Sequence, residues 1–278
     1  VVIICFVLLI PWNSCILLIY LHLSNCFGVI LSNPILSIIT INRNNAEGLR
    51  KTIESVLSQD VSDKTQVEYI IIDGASTDNS VEIIKSFENN QSNKLQITKW
   101  ISELDSGIYN AMNKGIKMAT GELIGIMNSG DTYLPNALKK SISIFKEYPK
   151  HIQYGIVNKF MGNHFEGALC PRIEYLEESM IPHNATFVPK DYYEMYGYYN
   201  ENFLVLADYD CFLRFYSNKL PFFYSNNIVC NFDLSGVSST MASLVDRERI
   251  EIKQKYGYYI PPSKKQKIKN IIKKLFRI

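Results

Sequence analysis

An α/β domain built on a doubly wound, mostly parallel sheet is the fold that this 278-residue chain predicts. Three observations carry the expectation. Apolar runs alternate with helix-period segments from about residue 34 to about Tyr148. The runs are continuous rather than alternating in polarity, as strands covered on both faces are. Two of them, EYIIIDGASTD at 68–78 and ELIGIMNSGD at 122–131, end in small Gly-containing loops that carry acids. Ligands of an open α/β sheet bind outside the carboxyl ends of its strands.

The elements follow in order. Leu36–Ile41 reads as a first buried strand after Pro34, and Asn44 or Asn45 caps a helix that turns Leu49, Ile53, Val56 and Leu57 inward. Tyr69–Ile72 is the second strand, and the helix after Asp78 faces inward with Val81, Ile84 and Phe87. Ile97–Ile101 is the third strand. The helix from Ile108 repeats Ala111, Met112, Gly115, Ile116 and Ala119 at helical spacing. Leu123–Met127 is the fourth strand, with a helix starting near Pro135. Beyond it, 152–169 and 184–189 read as short strands, and Lys190–Tyr196 and Ala207–Tyr216 as helices, in a more irregular second half.

Hydrophobic residues make up 47% of the chain, and the net charge of +2 argues neither for nor against nucleic acid; no nucleic-acid partner is expected. Cys170, Cys211 and Cys230 show no CxxC or metal-like spacing and read as reduced packing cysteines. Residues 1–31 are apolar and uncharged. They read either as a membrane anchor or as an over-extended reading frame, since no Met precedes Met112 and no basic segment opens them. If they are an anchor, Arg43, Arg50 and Lys51 place the body on the cytoplasmic side. The domain then spans 34–256, and 257–278 forms a tail.

Neither GxGxxG nor GxxxxGK[ST] occurs, so a phosphate group would have to be held by a metal and acids. Asp73 stands at a strand end, where a carboxylate can accept from the N–H edge of a base such as uracil. Gly74, Ala75 and Ser76 leave room for a flat ring; the alternative is a turn cap. Asp78 reads as a helix cap. In Asn128-Ser129-Gly130-Asp131, one carboxylate can hold Mg²⁺ or Mn²⁺ when a substrate's phosphates complete the shell, or the four residues form only a turn. Asp105, Ser106 and Gly107 lead into a helix N-terminus, an end that favours anions. On the later helix Asp208 shares a face with Cys211, Phe212 and Phe215. Asp210 and Arg214 form an i, i+4 pair expected at the surface. His183 is either structural or in contact with an acceptor or metal. Tyr192–Tyr199 either stack on sugars or fill the core.

The ordered motifs SIITINRNN, IIIDGASTDNS, SELDSGIYNAMNKGIKMATGE, LIGIMNSGD and LADYDCFLR resemble a family 2 glycosyltransferase with a GT-A fold, of the type that builds bacterial surface polysaccharides. The resemblance runs from about Pro34 to about Tyr256. It implies an inverting transferase that moves a sugar from a nucleotide donor, UDP-linked in expectation, to a hydroxyl of a glycan or lipid-linked acceptor. Thr40, Asn42, Asp73, Asp105, Asn113 and Asn128 would then line the nucleotide. Asp131 would hold Mg²⁺ or Mn²⁺, Asp208 would be the general base, and His183 would stand on the acceptor side. The family's motif carries acids at the positions of Asn128 and Gly130, and GAS after Asp73 lacks a second Asp. These departures leave a catalytically impaired glycan- or nucleotide-binding relative as the alternative.

Lys264, Lys265, Lys267, Lys269, Lys273, Lys274 and Arg277 surround an apolar face of Ile268, Ile271, Ile272 and Leu275. This pattern predicts a basic amphipathic helix at an anionic membrane surface, with a peripheral or single-pass protein on the cytoplasmic face.

Overall fold

The computed structural model describes residues 33–88, 95–235, 241–259 and 261. The chain divides into two units, Val1–Asn33 and Pro34–Ile278. The apolar leader lies outside the described residues, and so does the basic stretch of the tail. No helix among the described residues is long and apolar enough to cross a membrane. The second unit carries the sheet.

Strand β1 (Leu36–Asn42) is buried at every residue. It lies parallel to β2 (Val67–Asp73) on one side and to β4 (Leu123–Asn128) on the other. β3 (Lys99–Ser102) extends the parallel half beyond β2. Alternate residues of β1 feed two cores. Leu36 and Ile38 pack with α1 (Ala46–Leu57), α2 (Ser80–Glu88) and α4 (Ala137–Glu147). Ile39 and Ile41 pack with α3 (Ile108–Met118), α5 (Lys190–Tyr196) and α6 (Ala207–Ser217). Helices thus cover both faces, as the sequence pattern predicts. The inward face of α2 is set by Ile83 and Ile84, with Val81 and Phe87 half-buried.

The sheet order is β3-β2-β1-β4-β8-β6-β9-β5, with β7 paired to β6. The chain leaves β1 toward β2 and later returns to its other edge as β4, which makes a topological switch point at the carboxyl ends of β1 and β4. The second half is mixed. β8 (Thr186–Pro189) runs antiparallel to β4 and to β6 (Ile152–Met161), and β7 (His164–Leu169) closes a hairpin on β6. β9 (Phe222–Asp233) is parallel to β6 and brings its end against β5 (Thr132–Tyr133). Neither β5, β9 nor α7 (Ala242–Lys255) is predicted from the sequence. β9 is half exposed and interrupted by Ser225-Asn226-Asn227. α7 buries only Glu248 and Ile252. Cys211 and Cys230 pack in the interior as expected, whereas Cys170 is exposed.

The amino end of the sheet is closed by Glu68, only 3% exposed. Its carboxylate accepts from Ser37 Oγ at 2.6 Å, Lys99 Nζ at 2.8 Å and Thr120 N at 2.7 Å, and so joins β1, β2, β3 and the turn into β4. These bonds hold its carboxyl below the usual carboxylate range although burial works against them.

Helix α3 lies close on β1 because residue 115 has no side chain. A Cβ there would stand 2.3 Å from Ile39 Cγ2. Ile39 is fully buried and β-branched, so it has little freedom to move aside. Gly115→Ala would gain about 1 kcal/mol of helix propensity against about 1–3 kcal/mol of overpacking. Urea unfolding should show a net loss of stability; a gain would contradict the packing described.

Candidate active site

The carboxyl ends of the four parallel strands stand in line. Asn42 is in register with Asp73, Asp73 with Ser102, and Ile41 with Asn128. Each strand then breaks into a polar loop, so the expected residues gather at one edge.

Asp73 is fully buried. Its carboxylate accepts from Asn42 Nδ2 at 2.8 Å, Ser76 N at 3.0 Å, Ser76 Oγ at 2.5 Å and Ser102 Oγ at 2.6 Å. A carboxylate has about four lone-pair sites, and four donors occupy them. Asp73 thereby ties the ends of β1, β2 and β3 and fixes Asn42 and Ser76. Ala75 adopts φ 53°, the left-handed region, which folds Ser76 back onto Asp73. Thr40 is also interior. It is fully buried and its hydroxyl pairs with Tyr69 OH at 3.0 Å, so it supports the strand from within rather than lining the cleft.

Beside Asp73, Gly74 separates two charged side chains. A Cβ at this position would stand 2.9 Å from Asp105 Oδ2 and 3.4 Å from Arg43 Cδ. Asp105 is itself held by Lys114 Nζ at 2.6 Å. Asn113, the next expected nucleotide contact, is committed elsewhere. Its amide donates to Tyr199 O at 2.9 Å and Glu201 Oε1 at 2.8 Å, and its oxygen accepts from Tyr199 N at 3.0 Å. It clamps the 199–201 segment to α3, and Glu201 is a partner that its short polar context in the sequence did not single out. Tyr192, Tyr193 and Tyr199 are core residues, not sugar platforms.

On the other side of the switch point, the 128–131 turn closes with Asp131 N donating to Asn128 O at 3.1 Å, and Thr52 Oγ1 donates to Asp131 O at 2.7 Å. Gly130 adopts φ 109°, a conformation that side-chain-bearing residues rarely take, so the acid expected there is excluded by the turn itself. The carboxylate found nearby is Asp233 at the end of β9, whose Oδ2 lies 4.0 Å from the position of a Cβ on Gly130. Asp131 is 3% exposed and accepts from Asp233 N at 2.9 Å and Asn184 Nδ2 at 3.1 Å. The buried Asn184 Oδ1 and Asn128 Oδ1 have no hydrogen-bond partner among the described residues. No group of three or more His, Cys, Asp or Glu among the described residues is placed to hold a metal. The oxygen-only set around Asp131 fits a hard divalent cation whose shell is completed by phosphates, and not a ready-made protein cage.

Asp208 begins α6 and is 3% exposed. It accepts from Tyr209 N at 2.9 Å and Tyr109 OH at 3.3 Å on Oδ1, and faces His183 Nδ1 at 3.0 Å on Oδ2. His183 and Asn184 lie in one 3-10 turn, His183–Ala185. Two consecutive residues thus touch the two acids of the site, His183 on Asp208 and Asn184 on Asp131. Helix α6 is anchored by α7. Glu248 accepts from the backbone N–H of Leu204 at 2.8 Å, Val205 at 3.1 Å and Leu206 at 2.9 Å, and so braces the segment that leads into the helix. Asp210 is fully buried, not at the surface as expected. It takes Arg214 at 3.0 Å and also Lys255 Nζ at 2.6 Å and Tyr256 OH at 3.1 Å. Asp78 caps as predicted, accepting from Ser80 N at 3.1 Å.

Burial pushes the Asp131 carboxyl up from 3.8 to about 7, with the Asp233 carboxylate adding to it and the Asp233 N–H, the Asn184 amide and His183 opposing it. Between about pH 4 and 7 the unfolded chain releases this proton while the fold keeps it. The unfolded state then binds fewer protons, and stability falls as pH rises. The unfolding free energy of the wild type relative to Asp131→Asn, from urea titrations across pH, should therefore decline from about pH 4 to 7 and level above. A pH-independent difference would contradict a raised carboxyl.

Comparison with known proteins agrees with this architecture. The glycosyl transferase family 2 model matches residues 37–216. A PGL/p-HBAD biosynthesis glycosyltransferase of Mycobacterium bovis is 30% identical over 222 residues, covering 78% of this chain and 83% of that one. Among solved structures, S. aureus TarS 1-349 in complex with UDP-GlcNAc superposes with a TM-score of 0.64 at 16% identity, over 80% of this chain and 65% of that one. The chain thus spans just under two thirds of that solved protein. The mannosyltransferase PcManGT of Pyrobaculum calidifontis, solved with GDP-Man and Mn²⁺, gives 0.61 at 14% identity, over 88% of this chain and 73% of that one. The likeness to both is one of fold, the GT-A sheet. With the family model covering most of the sheet and the acids gathered at its strand ends, the chain belongs to glycosyl transferase family 2.

Proposed function

We propose that the protein is an inverting glycosyltransferase that moves a sugar from a UDP-linked donor to a hydroxyl of a glycan or lipid-linked acceptor. The observation that carries the reading is the His183-Asn184 step. His183 touches Asp208 and Asn184 touches Asp131, so one short turn links both acids, which supports a cation-holding acid for the donor and a basic carboxylate for the acceptor at one centre. Single displacement at an anomeric carbon needs these two functions at one centre and needs no nucleophilic carboxylate.

The base of the donor would lie on the shelf over Gly74, between Arg43 and Asp105, with Asn42 and Ser76 fixed beneath it by Asp73. Asp131, with Asn128 and Asp233 near it, would hold Mg²⁺ or Mn²⁺. A cation bound there would neutralise charge on the departing diphosphate. Asp208 would supply the basicity that removes the acceptor's proton as its oxygen attacks. The mycobacterial relative, named as a PGL/p-HBAD biosynthesis glycosyltransferase, supports the transferase reading. The basic tail supports action at the cytoplasmic face of an anionic membrane, though it lies outside the described residues.

The test is UDP or GDP release from a panel of UDP- and GDP-sugars, with Mg²⁺, Mn²⁺ or chelator present. Turnover is expected with UDP-sugars. Asp208→Asn should lower kcat by about 10²–10⁴ with little change in donor KM, and Asp131→Ala should abolish turnover. Tight UDP binding with no turnover on any donor would instead assign a binding role to the protein.

A further inference from the structure

We propose, on the basis of the transferase reading above, that the atom receiving the acceptor's hydroxyl proton is Nε2 of His183, with Asp208 acting on it through Nδ1. Three of the roughly four acceptor sites of the Asp208 carboxylate are already engaged. Asp208 Oδ1 is taken by Tyr209 N at 2.9 Å and Tyr109 OH at 3.3 Å, and Oδ2 by His183 Nδ1 at 3.0 Å.

The pairing also sets the imidazole's tautomer. With Asp208 ionised, the hydrogen between the two groups sits on Nδ1, and Nε2 is then a bare acceptor. That nitrogen is buried and has no hydrogen-bond partner among the described residues. A buried acceptor without a donor is destabilising, and such atoms in native proteins call for a reason. A hydroxyl donated by a bound acceptor supplies one.

Its position agrees. The next residue, Asn184, donates to Asp131 Oδ2 at 3.1 Å. The imidazole therefore lies between the acid assigned to the diphosphate and the acid assigned to the acceptor. The turn that carries it is firmly built. Ala185 N and Thr186 Oγ1 both donate to Pro182 O, at 3.2 and 2.8 Å.

The step balances simply. As the acceptor oxygen forms its bond to the anomeric carbon, the O–H proton moves to Nε2. The bond from that carbon to the diphosphate oxygen breaks, and its electron pair leaves on the diphosphate. The resulting imidazolium is stabilised by the ionised Asp208, as in other His–Asp arrangements.

The experiment uses the full chain and the UDP-sugar that the wild type hydrolyses fastest, with water as acceptor. His183→Gly should lower kcat by about 10²–10⁴, leave the Kd for UDP within about threefold, and regain at least about tenfold in rate with added imidazole. His183→Gln, which keeps ring-like bulk and an amide near Asp208 but cannot take the proton, should melt near the wild-type temperature, bind UDP, and not turn over. A His183→Gln protein that retains kcat within about tenfold overturns the proposal. So does a folded, UDP-binding His183→Gly protein that imidazole fails to rescue. The two levels separate cleanly. If Asp208→Asn abolishes turnover while both His183 variants remain active, only the proton assignment falls. If Asp208→Asn is itself fully active, or the wild type turns over no donor, the transferase mechanism above falls with it.

Discussion

The constraint on which the remaining architecture depends is the complete burial of β1 between two parallel neighbours. Every residue from Leu36 to Asn42 is covered, and its two faces feed separate cores. Such a strand cannot slip by one residue, because slippage would exchange the two sets of side chains between different helix layers. Register is thus fixed along β1, β2, β3 and β4 together. Fixing it brings Ser102, Asp73, Asn42 and Asn128 to one edge. The site is a by-product of the packing that holds the sheet.

The two ends of the sheet show how one residue type serves different ends. At the amino end Glu68 is buried and surrounded by an ammonium, a hydroxyl and a backbone N–H, and it acts as a staple. At the carboxyl end Asp73 is just as well satisfied and acts as a staple too. Asp131 and Asp208 differ. The first is buried with only two donors and its carboxyl is raised, and the second is coupled to an imidazole whose far nitrogen has no partner. Asp131 and Asp208 are thus the less completely satisfied acids of the site, which is what the proposed mechanism uses.

The sequence made the first half legible because its strands are continuous apolar runs and its helices strongly amphipathic. The predicted first strand, Leu36–Ile41, falls one residue short of the observed one, and Lys190–Tyr196 is found as read. The second half was less legible for physical reasons. β9 is half solvated and broken by polar residues, so it lacks a two-residue rhythm. Residue types at the site were readable, but their engagement was not. Nothing local to Asp73 announces that Ser102, far along the chain, donates to it, and nothing near Asn113 announces Tyr199. Gly130 looked like a lost acid, whereas its backbone angle shows a turn that needs glycine, with Asp233 arriving from a strand about a hundred residues later. Asp210 was misread as a surface partner because Lys255 and Tyr256 come from α7, which carries almost no apolar signature.

The anchoring of α6 by α7 bears on what the smallest inheritable unit of this protein is. The family's shared region ends at residue 216, within α6. Glu248, which gathers three backbone N–H groups at the start of that helix, lies outside it, as do Lys255 and Tyr256. The module recognisable by descent is therefore smaller than the module that is mechanically complete. A swap of the shared region between relatives would exchange Asp208 without exchanging the brace that orients it. Chimeras cut after α7 preserve that brace.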